Sequence, residues 1–229
     1  MKLAFFSDIH GNVEAFKAVI EDIRSKDIDF ENVFCLGDSV GYGPRPNEVI
    51  NLIRDLKITS VLGNYDSAVA SNMSTPSRTN NAYDWTVAYL TPENKEFIRN
   101  FEDGISVVRN KKSFFLRHGS LFSNSEYIFE DDTQRQMDMA HYLDEDVIVM
   151  GHTHLPYAKE VNGKIFINTG SVGKPKDGDN RACYCVVNVE DEISVEFFRL
   201  DYDIDKVIEE INQSELPNTI GMLLKMGRG

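Results

Sequence analysis

LAFFSDIHGNVEAFKAVIEDI, residues 3–23, decides the fold. A short apolar run, too brief for a helix, ends in Asp8 and His10. Behind it Val13, Phe16, Val19, Ile20 and Ile23 recur at helical spacing, with Asn12 placed as N-cap. VFCLGD (33–38) supplies a second strand and SVLGN (60–64) a third. Between them, after the Gly-Pro segment, a helix turns Val49, Ile50, Ile53 and Leu56 inward. The first sixty residues thus read β-α-β-α-β, which implies parallel strands joined by right-handed crossovers.

Further along, strands predominate. ISVVR (105–109) and KSFFLRH (112–118) flank Asn110-Lys111 as a hairpin, while residues 82–101 are helical with a break before Pro92. Thr133 and Gln136 form a capping box that opens a helix running to Leu143. Strands are expected at 147–150, 165–167, 182–189 and 193–199. The tail, 203–229, reads as helical and then polar, without identifiable chemistry. The polar stretch SNMSTPSRTNN (71–81) reads as a loop within a single domain spanning 1–229.

With 229 residues, 41% of them hydrophobic, the chain can bury a substantial core as one domain. No apolar run reaches transmembrane length, and the N-terminus enters a strand without a basic region or cleavage site, so neither membrane nor signal peptide is expected. Cys35, Cys183 and Cys185 lie inside apolar runs with no CxxC pair, which points to buried thiols in a reducing cytoplasm. The net charge of −13 argues against a nonspecific nucleic-acid surface, which needs a basic footprint. A phosphorylated small molecule stays open, because bound metals reverse the sign locally.

Metal-type side chains gather at the ends of five apolar runs: Asp8 with His10, Asp38, Asn64, His118 in FFLRHG, and His152 with His154 in VIVMGHTH. In an open α/β sheet, ligands collect beyond the carboxyl ends of the strands. Each residue alone has an ordinary explanation. Asp8 can cap a helix, Asp38 and Gly63-Asn64 can make turns, and His118 is unremarkable. His-x-His after a buried strand is harder to assign to a core, and by itself is an even choice between metal and structure. Five strand ends carrying only such residues are together accounted for by a metal centre. Asp8 and His10 need a bend to aim at one ion, and Gly11 supplies that freedom. Carboxylate, imidazole and amide without thiolate suit Mn, Fe, Zn or Ni at two adjacent sites. Two carboxylates against two divalent ions leave a net positive centre, even with a bridging hydroxide. Such a centre attracts phosphate, and two ions about 3.5–4 Å apart can activate a water and clamp the attacked phosphoryl group.

The ordered series DIHG (8–11), GDSVGYGP (37–44), GNYD (63–66), HG (118–119) and GHTH (151–154) resembles the calcineurin-like metallophosphoesterases, in particular their small prokaryotic phosphodiesterase-like branch, over roughly residues 1–190. The resemblance implies an α/β (α+β) four-layer sandwich. Two mixed β-sheets are flanked by helices, and the metal site lies at the C-terminal ends of the strands. It implies that Asp8, His10 and His154 hold one ion, that Asn64, His118 and His152 hold the other, and that Asp38 bridges them. It also implies that a metal-bridging hydroxide attacks phosphorus while the ions and Asn64 stabilise the developing charge. Manganese is the first choice for activity.

One position departs from the family pattern. Many members carry a His after the Gly-Asn pair to serve the leaving group; here Tyr65 stands there, followed by Asp66. A phenol of pKa about 10 is a poorer acid at neutral pH than an imidazole. Tyr65 is either a catalytic hydrogen-bond donor or a pocket wall, with Asp66 capping a turn. The change predicts a preference for phosphodiesters or nucleotide-type substrates over monoesters.

Arg45, Lys174 and Arg181 are candidates for substrate contact, since phosphate recognition favours Arg; solvated surface charge is the other explanation. Asn168, Gly170 and Ser171 follow a strand end and are candidates to line the pocket, whereas His141 reads as structural. The expected protein is a cytoplasmic dinuclear-metal phosphoester hydrolase acting on a phosphorylated small molecule or nucleotide. A phosphoprotein or phosphomonoester phosphatase is the alternative within the enzyme class. The alternative outside it is a non-catalytic metal-binding interaction scaffold, as in the fold's retromer-subunit branch. The intact set of seven ligand positions favours the enzyme.

Overall fold

The computed structural model describes residues 1–71 and 81–229. Strands β1 (Lys2–Phe6), β2 (Val33–Cys35) and β3 (Thr59–Ser60) are parallel, joined through helices α1 (Val13–Ser25) and α2 (Pro46–Asp55). Strand β9 (Ala182–Val189) lies antiparallel on the other side of β1, followed by β10 (Ile193–Leu200), giving the order β10-β9-β1-β2-β3. A second sheet has the order β4-β5-β6-β8-β7, formed by Gly104–Arg109, Lys112–Arg117, Val147–Met150, Lys164–Asn168 and Tyr157–Val161 respectively. Its strands β5, β6 and β8 are parallel.

Alternation of side chains along each strand builds the layers. Leu3, Phe5, Phe34 and Leu36 of the first sheet meet Phe114, Leu116, Val147 and Val149 of the second in a shared core. There the Phe5 ring stacks 5.3 Å from Phe34 and 5.8 Å from Phe114. The intervening residues face outward. Ala4, Phe6 and Cys35 pack under α1 and α2, while Ile148, Met150 and Phe166 pack under helix α6 (Thr133–Tyr142). Two mixed sheets flanked by helices make the expected four layers. Among the described residues no helix is long and apolar enough to cross a membrane.

The β-α-β-α-β start is as read from the sequence, and the Asn12 side chain accepts the Ala15 N–H as N-cap of α1. The break before Pro92 separates α4 (Asn81–Tyr89) from α5 (Pro92–Arg99). Asn110 and Lys111 both take positive φ (46° and 66°), the turn that suits a two-residue hairpin. Two readings need correction, and two elements add to those expected. The cap of α6 is not a Thr133–Gln136 box: Asp132 precedes the helix, Thr133 accepts from Lys159, and the Gln136 amide donates to the Phe129 carbonyl. Residues Asn64–Ala70 form a helix, α3, and Tyr157–Val161 form an edge strand. The tail folds into two helices, α7 (Ile204–Gln213) and α8 (Thr219–Lys225), rather than one helix and a polar end. Of the loop expected at 71–81, positions 72–80 lie outside the described residues.

Candidate metal centre

Beyond β1, β2 and β6 the chain turns sharply, and the turning residues are themselves metal-type side chains; Asn64 and His118 follow β3 and β5. Asp8, His10, Asp38, His152 and His154 all have positive φ, between 49° and 68°. L-residues visit this left-handed region rarely, with Asp, Asn and His enriched among those that do. Gly11 (φ 65°) contributes to the bend, as expected, but Asp8 and His10 make most of it themselves. Backbone bonds from Asp8, His10 and Gly11 to the carbonyls of Gly37, Asp38 and Ser39, each 3.0 Å, strap the first turn to the second. The turns pack with no spare room: a Cβ at Gly63 would stand 2.1 Å from the Asp38 nitrogen and 2.2 Å from its Oδ1.

These turns gather two buried triads, Asp8 with His10 and His154, and Asp38 with His118 and His152, whose ligand-type atoms lie within 4.8 Å of one another in each. Asp8 Oδ1 is 3.1 Å from His154 Nε2 and 3.6 Å from His10 Nε2. Asp38 Oδ2 stands between the triads, 3.4 Å from His118 Nε2 and 3.8 Å from His10 Nε2. Asn64, at the first turn of α3, brings Oδ1 to 3.1 Å from His118 Nε2. All seven candidate ligands therefore converge on one volume.

The surroundings aim each donor atom. His10 donates Nδ1–H to the Val40 carbonyl (3.1 Å), His118 to Leu36 (2.7 Å) and His154 to Lys174. Carbonyls only accept, so these bonds put a proton on each Nδ1 and turn each Nε2 inward. Asp8 Oδ2 accepts from Ser7 Oγ (2.6 Å) and the His152 N–H (2.9 Å), and Asp38 Oδ1 accepts from the Tyr65 N–H (2.7 Å). Asp8 Oδ1 and His152 Nε2 are buried with no hydrogen-bond partner at all. A buried polar atom without a partner is costly, and two such acceptors, Asp8 Oδ1 and His152 Nε2, fit a cation. Oxygen and imidazole donors in this number fit two divalent transition-metal ions.

Electrostatics agree. Burial opposes ionisation of Asp8, yet the imidazoles of His154, His10 and His118 hold its carboxyl well below the usual range. Asp38 is likewise lowered against burial, chiefly by His118. Burial would lower His118, but Asp38 and Asp8 drive it up to about 9, so these carboxylates recruit positive charge. Burial pushes His154 down to about 4, leaving a neutral ring able to ligate. Asp66 caps its turn as expected: it accepts from the N–H groups of Gly63, Ser39 and Val40.

Over the triads opens a crevice of about 360 Å³. Tyr65 lines it with its ring 5.5 Å from His10 and its hydroxyl bonded to that of Tyr42. Of the three candidates for substrate contact, only Lys174 lines the crevice. Arg45 is held elsewhere by a two-pronged pair with Glu210 of α7 (2.9 and 2.5 Å), and Arg181 by one with Asp179 (2.7 Å). Asn168 and Ser171 lie behind the crevice, donating to the carbonyls of Gly151 and Asp8, and His141 sits exposed on α6. Sequence reasoning missed Lys176 and Tyr127. Lys176 enters the crevice beside Lys174, and its position in GKPK two residues on was the available signal. The Tyr127 ring stacks 4.0 Å from that of His152, and no local pattern announces it. Burial lowers both lysines, Lys174 to about 7.

Residues 1–192 match the model of the calcineurin-like phosphoesterase superfamily domain. An uncharacterized protein of Methanocaldococcus jannaschii is 36% identical over 251 aligned positions, covering 99% of this chain and 98% of that protein. Phosphodiesterase YfcE of Escherichia coli K12 is 31% identical over 206 positions, covering 85% and 91%. Among solved structures, a metallophosphoesterase from Sphaerobacter thermophilus superposes with a TM-score of 0.83 at 28% identity, with 99% of each chain covered.

Proposed function

The chain belongs to the calcineurin-like phosphoesterase superfamily and is a phosphoester hydrolase, and from that premise we propose that it is a dinuclear-metal enzyme preferring phosphodiesters or nucleotide-type esters. Asp8, His10 and His154 would hold one ion and Asn64, His118 and His152 the other, with Asp38 placed between the two sets to serve both. The observation that carries this reading is the pair of inward acceptors left without donors, Asp8 Oδ1 and His152 Nε2, beside Asp38 Oδ2, which faces both His10 and His118. The ions are Mn, Fe, Zn or Ni, manganese first for activity. When bound they supply the charge that activates water and polarises the phosphoryl oxygens.

The chain's own groups do the rest. Asn64, with Oδ1 turned to His118, keeps its amide N–H groups for a phosphoryl oxygen. Lys174 and Lys176 bind further anionic groups of the substrate. Tyr65, its hydroxyl engaged with Tyr42, is a weak proton donor, so esters with good leaving groups are preferred. The E. coli relative's name, phosphodiesterase, supports the diester preference. The substrate is a phosphorylated small molecule, since a net charge of −13 repels a polyanion outside the crevice. Cys35, Cys183 and Cys185, buried and unpaired, suit a reducing cytoplasm.

The test is metal analysis of the purified protein beside rates on bis(p-nitrophenyl) phosphate and p-nitrophenyl phosphate with Mn²⁺. Two ions per chain and faster diester cleavage are expected, with at most one ion retained in Asp38→Ala. Equal or faster monoester turnover sinks the diester preference. Two ions retained by Asp38→Ala sink the bridging role.

A further inference from the structure

Beside the metal crevice lies an apolar cavity of about 180 Å³ whose far wall is built by α7 and α8. Val207 and Ile211 of α7 line it with Ile220, Leu223 and Leu224 of α8. At its near end His10, Tyr42 and Lys174 line both hollows. Lys174 Nζ sits 4.3 Å over the centre of the Tyr42 ring, so the shared rim is one cation–π pair. The cavity thus begins where the metal-binding edge ends.

Its wall is preformed. Val207, Ile211 and Leu224 are buried together with Ala82 and Leu216 in a cluster of their own. Leu223, by contrast, is 42% exposed, and Ile220 is half-buried, so apolar area is left uncovered next to the most polar part of the molecule. Both helices lie beyond residues 1–192, the span matched by the family model; the common core of the family does not supply this wall. Size limits the occupant. An aliphatic cavity of about 150 Å³ takes up benzene, so one of about 180 Å³ has room for a single aromatic ring.

Resting on the phosphoester reading above, we infer that this cavity is the subsite for the organic group of the ester: a single aromatic ring, phenyl-like or pyrimidine, whose phosphoryl group sits at the metal edge. Lys174 and Tyr42 at the rim then contact the bond region of the substrate, and α7 and α8 set its specificity.

Phenylphosphonate and methylphosphonate, whose P–C bonds are not hydrolysed, are the probes, titrated calorimetrically into the manganese-loaded full chain. Burying the ring should make the phenyl compound bind about tenfold or more tighter than the methyl compound. In Leu223→Trp the indole fills the cavity, and the advantage should fall to within about twofold. Thr219→Trp, at an exposed position on the same wall, provides the same readout should the first variant not fold. In the unmutated protein loaded with diamagnetic Zn²⁺, phenyl protons should show NMR contacts to methyls of Val207, Ile211 and Leu223. Equal affinities in the wild type overturn the subsite while leaving the metal-edge reading intact, because methylphosphonate still binds. Phenyl selectivity retained in both tryptophan variants, or phenyl contacts confined to other methyls, also overturns it. Binding of neither probe overturns the metal-edge reading and this inference with it.

Discussion

Tyr65 follows the Gly-Asn pair, where the family resemblance implies an imidazole for the leaving group, and its hydroxyl is tied to Tyr42 at the crevice wall. If proton supply limits monoester cleavage, Tyr65→His should raise kcat for p-nitrophenyl phosphate about tenfold or more, within the range for general acid catalysis. An unchanged rate, with metal content intact, means that the phenol is not the limiting feature. The residues legible in the sequence are those whose chemistry is unusual at a strand end. All seven candidate ligands were of this kind, although no single motif sufficed. Arg45 and Arg181 were legible only as charges, and charge does not say which carboxylate lies opposite; Glu210 is supplied by the fold from far along the chain, and Asp179 by a local turn two residues before Arg181. Tyr127 was illegible because its place over His152 is set by a loop without periodicity.

Between elements, the register of the second sheet is fastened by one carboxylate. Asp146, just before β6, accepts from both the N–H and the hydroxyl of Ser113 in β5 at 2.8 Å. The Ser113 N–H leads in holding the Asp146 carboxyl below its usual value, against partial burial. A carboxyl lowered in the folded state stabilises it fully above the ordinary range, about pH 4, and that contribution fades as pH falls through the lowered folded value. The urea midpoint of Asp146→Asn should therefore lie below that of the wild type at pH 7, with the gap closing toward about pH 3. A gap independent of pH discards this role for the charge. Strands with strict alternation or continuous burial were readable from sequence, as in β1, β5 and β6. Strand β7 was missed because YAKEV is an edge strand with exposed polar positions, although the following Asn162-Gly163 turn (φ 53° and 75°) was a hairpin signal. The box expected at α6 failed because tertiary partners, Lys159 and the Phe129 carbonyl, claim both side chains.

At the scale of the whole molecule, residues 1–229 are proposed to unfold as one unit, with α7 and α8 locked to the rest. Lys206 and Glu210 of α7 pair with Glu14 of α1 and with Arg45, and Trp85 of α4 packs on the α7–α8 cluster. Trp85 is the only tryptophan, so its fluorescence reports on this layer while far-UV circular dichroism reports on both sheets. The two thermal transitions should coincide; an earlier fluorescence transition would mean that the terminal helices form a separate unit. In this layer the helical character of α7 was legible in the sequence, whereas α8, which is short, and the partners of both helices, far away in the chain, were not. The left-handed backbone at Asp8, His10, Asp38, His152 and His154 has a consequence for the molecule's whole stability. Such conformations cost non-glycine residues on the order of 1 kcal/mol each, and glycine adopts them freely. At five positions, then, the residue that would relieve the backbone is the one that removes a candidate ligand. Mutants of this protein selected only for heat resistance without metal would be expected to lose the centre first, as glycines accumulate where the chemistry had been.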